Sequence, residues 1–131
     1  MLEVQIKTKL PENCALATLN GIMKSCVVRV EGFARKEEVV KGLLKVKGKS
    51  ADEILKNLPS QCEGVPVSSK EAKVMIKEHT CLFAIPILES GCVITGVDVN
   101  DSELVWNIIC DDEGFLSLLK NLEGVEFELL F

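Results

Sequence analysis

One order of elements runs along this chain twice: strand, helix, strand, strand, helix, strand, first over residues 1–69 and again over 70–131. A doubled order of this kind restricts the fold more than any motif does. At 131 residues the chain is ordinary for one compact unit built from two halves, long enough to bury a sizeable core without disulfides or a structural metal. The opening strand is the clearest element. Leu2, Val4, Ile6 and Leu10 share one parity and Glu3, Gln5, Lys7 and Lys9 the other, so one face is packed and the other wet. Pro11-Glu12-Asn13 then starts a short helix that Asn20-Gly21 stops. Cys26 to Val30 and Val39 to Val46 read as a hairpin whose turn holds Arg35-Lys36-Glu37.

Ser50 stands three residues before Glu53, the spacing of a capping box, and predicts a helix from about Ala51 to Leu58 that Pro59 ends. Pro66 restricts the stretch from Cys62 to Ser69 to an edge strand or a connector. The second copy is predicted as a strand from Ala72 to Lys77, a helix from Cys81 to Leu88 capped by Thr80 and stopped by Gly91, and strands opening at Cys92 and Leu104. A helix capped by Asp111 or Asp112 follows, with Phe115, Leu116, Leu118, Leu119 and Leu122 as a wide apolar stripe, then a closing strand from Val125 to Leu129. Pro86 inside the Cys81 helix predicts a kink or an early end. Cys14 and Cys81 both start a first helix and Cys26 and Cys92 both open a second strand, at offsets of 67 and 66 residues. The expected fold class is α+β: two tandem ferredoxin-like (βαββαβ, ACT-like) units, residues 1–69 and 70–131, each with its own four-stranded antiparallel sheet.

Composition narrows the function classes. With 47% hydrophobic and 27% charged residues the chain is expected to fold, and a net charge of −5 with scattered lysines argues against direct nucleic-acid binding. Met1 to Lys9 lacks the pattern of a signal peptide, and the longest apolar run, Cys81 to Leu88, is far too short to span a bilayer, so a cytoplasmic protein with no membrane partner is expected. In that compartment the six cysteines are read as small buried hydrophobes.

No catalytic or metal motif of recognised spacing is present, and neither an enzyme nor a cofactor is expected. His79, Cys81, Cys92 and Cys110 are the weak metal candidates, of which only His79 and Cys81 approach zinc-ligand spacing. A helix between Cys81 and Cys92 holds them roughly 12–15 Å apart. Asp98, Asp101, Asp111, Asp112 and Glu113 lack the periodicity of a calcium loop and are read as turn and cap residues. Trp106 is read as core.

As a string, Ser90-Gly91-Cys92-Val93-Ile94, Leu104 to Cys110, Leu118 to Glu123 and Val125 to Glu128, with Val4 to Pro11 and Cys26 to Val30 ahead of them, resembles the amino-terminal domain of archaeal transcription regulators of the bacterio-opsin activator type. The resemblance implies a sensory or regulatory role. In that family a helix-turn-helix domain grips DNA, and nothing in residues 1–131 supplies a recognition helix. A small-molecule effector and a homodimer are the expected partners, the dimer pairing through Phe127, Leu129, Leu130 and Phe131. A pure interaction module without a ligand is the other reading.

Overall fold

Apolar residues at every second position produce strands, and the strands of this chain join in one sheet. The structure is a computed structural model that describes residues 1–10, 17, 25–79, 83–100, 103–122 and 127–129. In chain order the elements are β1 (Leu2–Lys9), β2 (Val27–Lys36), β3 (Val39–Lys47), α1 (Ala51–Lys56), β4 (Cys62–Ser68), β5 (Glu71–His79), α2 (Ala84–Glu89), β6 (Val93–Asn100), β7 (Glu103–Cys110), α3 (Asp112–Asn121) and β8 (Phe127–Leu129). The protein is α+β and dominated by a single antiparallel sheet of order β4-β5-β3-β2-β6-β7-β1-β8.

Two separate sheets, one per half, were the expectation; the structure has one continuous sheet. β1 lies between β7 and β8, and β5 lies between β4 and β3. Each half's first strand is therefore housed among the strands of the other half. The first block is β4-β5-β3-β2 and the second is β6-β7-β1-β8, joined where Val28, Arg29 and Val30 pair with Val99, Asp98 and Val97. The boundary at residues 69 and 70 falls in the turn between β4 and β5, inside the first block. Period-two alternation assigns faces to a strand and is silent about neighbours, which is why the exchange escapes the sequence.

One face of the sheet carries Val4, Ile6, Val28, Leu44, Val74, Trp106 and Ile108, all buried, and the helices cover it. α1 and α2 have six residues each, too few to persist alone, so packing holds them. Ile54 of α1 and Leu118 of α3 are fully buried; truncating either to Ala is expected to cost about 2–5 kcal/mol. Trp106 is the centrepiece. Its ring stacks on Phe33 of β2 at 6.0 Å and meets Phe83 at 6.4 Å, so it bridges the two blocks beneath the joint. The opposite face, with Glu3, Lys7, Lys41, Lys45 and Lys73, stays open.

Several local expectations hold and others are corrected. β4 is an edge strand containing Pro66, β2 and β3 form a hairpin, Gly91 ends α2 with a φ of 78°, and Asp111 caps α3 by accepting from the Gly114 N–H at 2.7 Å. The capping box at Ser50 does not form: its Oγ bonds the Ser25 hydroxyl at 2.7 Å, and no side-chain cap is made. Pro86 causes no kink, because α2 begins at Ala84 and the proline falls in the first turn, where its missing N–H has no helical acceptor to lose. The stripe on α3 is narrower than expected, since Leu116 and Leu119 face solvent while Leu118 and Leu122 are buried. The expected Pro11 helix, apart from the single helical residue Ala17, the Thr80 cap, Cys81, and Val125 and Glu126 of the closing strand lie outside the described residues.

Candidate functional site

The joint between the blocks places charge where a strand interior ordinarily avoids it. Asp98 sits in the middle of β6, opposite Arg29 of β2, and both side chains emerge on the open face. Arg29 Nη1 meets Asp98 Oδ1 at 2.6 Å. The second carboxylate oxygen accepts from Asn107 Nδ2 of β7 at 3.1 Å, and Asn107 Oδ1 accepts from Gln5 Nε2 of β1 at 3.2 Å. A line of polar groups thus crosses four adjacent strands, fixing each side chain through the next.

Two backbone features make room for it. The register between β6 and β7 shifts between Ile94 and Gly96, and the intervening Thr95 donates its hydroxyl to the Asn107 carbonyl at 3.1 Å. Gly96 lets the guanidinium of Arg29 lie against the backbone, because a Cβ there would fall on the guanidinium itself. Arg29, Thr95, Asp98, Asn107, Glu3 and the edges of Val4, Ile108 and Ile109 line a cavity of about 300 Å³. That volume is at the lower end for small-molecule sites. A second hollow of about 480 Å³ adjoins the same carboxylate, lined by Gln5, Lys7, Val27, Asn100 and Val105 among others. The Arg29 and Asp98 side chains are 39% and 41% exposed, so their pairing contributes no more than about 1 kcal/mol to folding. The pair is reachable from solvent, so a ligand can compete for either charge.

The metal candidates separate. Cys92 and Cys110 come together, buried beneath α3, while the backbone of His79 pairs with Val40 in the first block. β5 and β7 are four strand spacings apart, roughly 19 Å across the sheet. Among the described residues no three His, Cys, Asp or Glu side chains gather in a geometry that holds an ion. Burial pushes the Cys92 thiol up to about 12, with the neighbouring Cys110 adding to the shift. Cys110 and Cys62 are also raised, first by burial; a hydrogen bond from Cys92 partly offsets it in Cys110 and the nearby charge of Lys77 in Cys62. Such thiols are poor ligands and poor nucleophiles in the resting protein.

Arg29 was not singled out by sequence, and Asp98 was read as a turn residue. The available signal was an aspartate flanked by Val97 and Val99 in an otherwise apolar strand, a position where Asp is depleted unless something pairs with it. Among the described residues no helix is long and apolar enough to cross a membrane.

No family model matches the chain, and no solved structure matches it. An uncharacterized protein of Archaeoglobus fulgidus is 80% identical over 74 residues, covering 56% of this chain and 89% of that relative. A second uncharacterized protein of the same organism is 74% identical over 39 residues, which cover 30% of this chain and 62% of its own length. At that identity and coverage of the first relative, the chain belongs to the same family as this uncharacterized archaeal protein.

Proposed function

We propose that the chain is a non-enzymatic sensory domain of an archaeal transcription regulator of the bacterio-opsin activator type, binding a small polar effector in the cavity over Arg29 and Asp98. The observation that carries this reading is the position of that cavity, on the open face at the joint of the two blocks. A guanidinium, a carboxylate and a carboxamide converge there with partners already arranged, so a polar ligand meets directional groups without ordering them first. The sequence resemblance supports the same reading. So does the strand order. With β1 and β5 exchanged, each block reads fourth, first, third, second from its outer edge, an order that supports reading the blocks as a pair of ferredoxin-like units. Signalling then follows from differential affinity: an effector that binds one setting of the joint better than another shifts the population between them.

Thermal-shift screening of the whole chain with amino acids, nucleotides and metal ions tests the proposal. A ligand at a hundred times its Kd adds about 2.7 kcal/mol of stability, a readily measured rise in melting temperature. Arg29→Met must abolish the rise. No response to any compound, or an equal response in the variant, removes the reading.

A second reading, a dimerisation module without a ligand, is favoured by the β4 edge, where Val65 and Val67 are 60% and 52% exposed along unpaired backbone. Light scattering that gives a monomer at high concentration ends it.

A further inference from the structure

The densest reactive chemistry outside the cavity lies under the first turn of α3. Val93 pairs with Ile109, so the next antiparallel rung sets Cys92, the residue before β6, opposite Cys110, the last residue of β7. Opposed residues in such a ladder have Cα atoms about 4.5–5.5 Å apart, inside the window of about 4.4–6.8 Å that a disulfide requires. Both residues are buried, only 5% and 3% exposed. Cys92 Sγ also lies 3.5 Å from the Gly114 carbonyl. A Cβ on Gly114 would come within 3.4 Å of Cys92 Sγ and 3.3 Å of Cys110 Cβ, so the helix turn is pressed onto the pair. An inserted ion needs space that this packing denies. A bond between the sulfurs needs none, since it draws them together to about 2.05 Å.

We propose that Cys92 and Cys110 are an oxidisable pair that closes to a cross-strand disulfide, a reversible two-electron modification that clamps β6 to β7. With a peroxide as oxidant the step balances. Cys110 sulfur attacks one oxygen of hydrogen peroxide, the O–O bond breaks, and the departing hydroxide takes up the thiol proton as water, leaving a sulfenic acid. Cys92 sulfur attacks that sulfur, and the S–O oxygen leaves with the Cys92 proton as a second water. Two thiols and one peroxide give one disulfide and two waters; a dithiol reductant returns both hydrogens. Either sulfur can act first, and the balance is the same. Burial makes the reaction slow, so it waits on local opening of the α3 turn. The two clamped strands also present Thr95, Asp98 and Asn107 to the cavity, which places the redox state and the candidate ligand site on the same pair of strands.

The test treats the whole chain with hydrogen peroxide, blocks remaining thiols by alkylation and maps peptides by mass spectrometry without reduction. A peptide joining Cys92 to Cys110, lighter by two hydrogens, is expected, with a melting temperature raised by about 10 °C and restored by dithiothreitol. Cys110→Ala must lose both the joined peptide and the reversible rise. Bridges between other cysteines, or sulfinic acid at either position with no bridge in the wild-type chain, overturn the proposal.

Discussion

Thr8→Val tests the exchange of β1 directly, because Thr8 touches Trp106 only if β1 lies beside β7. Trp106 Nε1 donates to Thr8 Oγ1 at 2.9 Å across the buried face of the sheet, and both residues are below a tenth exposed. Valine keeps the shape of threonine and deletes the acceptor, which leaves the indole N–H desolvated and unpaired. That costs about 1–3 kcal/mol. Trp106→Phe removes the donor instead, and in that background Thr8→Val leaves no orphan, so it should be close to neutral. The coupling across the cycle is therefore about 1–3 kcal/mol, an appreciable part of the 5–15 kcal/mol typical of a domain. Urea denaturation followed by circular dichroism reads it as a midpoint shift on the order of 1 M in the wild-type background and little in the phenylalanine one. Equal costs of Thr8→Val in both backgrounds would refute the pairing of β1 with β7.

Alkali should destabilise the fold through Cys92. Its folded value of about 12 lies above the unfolded 9.0, so the unfolded chain releases the proton first; the contribution is whole below pH 9 and is lost as pH rises toward 12, at roughly 1.4 kcal/mol per pH unit. The chain contains no tyrosine to blur that window, and Cys92→Ala should flatten the slope of stability against pH measured between pH 9 and 11. Gly64→Ala should cost about 1–3 kcal/mol in denaturant unfolding, since its Cβ would lie 2.5 Å from Leu55 Cδ2 and 2.9 Å from Leu58 Cδ1 and would force those packed side chains to shift. Asp111→Ala should cost about 0.5–2 kcal/mol by deleting the cap on Gly114 N–H, with Asp111→Asn recovering most of it in the same assay.

What the sequence disclosed follows from which interactions are local. Strand faces come from alternation within one segment, so β1, β3 and β5 were legible from Val4 and Ile6, Leu44 and Val46, and Ala72 and Val74. The Asp111 cap was legible for the same reason, acting three residues ahead on Gly114. Ser50 carried an equally local signal and failed, because the Ser25 hydroxyl, 25 positions away, took its side chain. The candidate site belongs to that second kind. Gln5, Arg29, Asp98 and Asn107 are scattered over a hundred residues and converge only because of the strand order. Each alone resembles an ordinary polar residue on a wet face.

The exchange of first strands also determines how the joint behaves. β1 and β7 pair over eight rungs, whereas β2 and β6, the only strands that link the blocks edge to edge among the described residues, pair over three. In a simple tandem so short a joint would be free to part. Here each block holds the first strand of the other half, so the chain crosses between the blocks twice, from β1 to β2 and from β5 through α2 to β6, where a simple tandem crosses once. These two covalent crossings keep the blocks together even where the three rungs open. Arg29 and Asp98 form the middle rung of the three. A ligand that competes for either charge acts at the short ladder between the blocks, and Trp106, packed against Phe33 beneath it, is placed to report the change by its fluorescence.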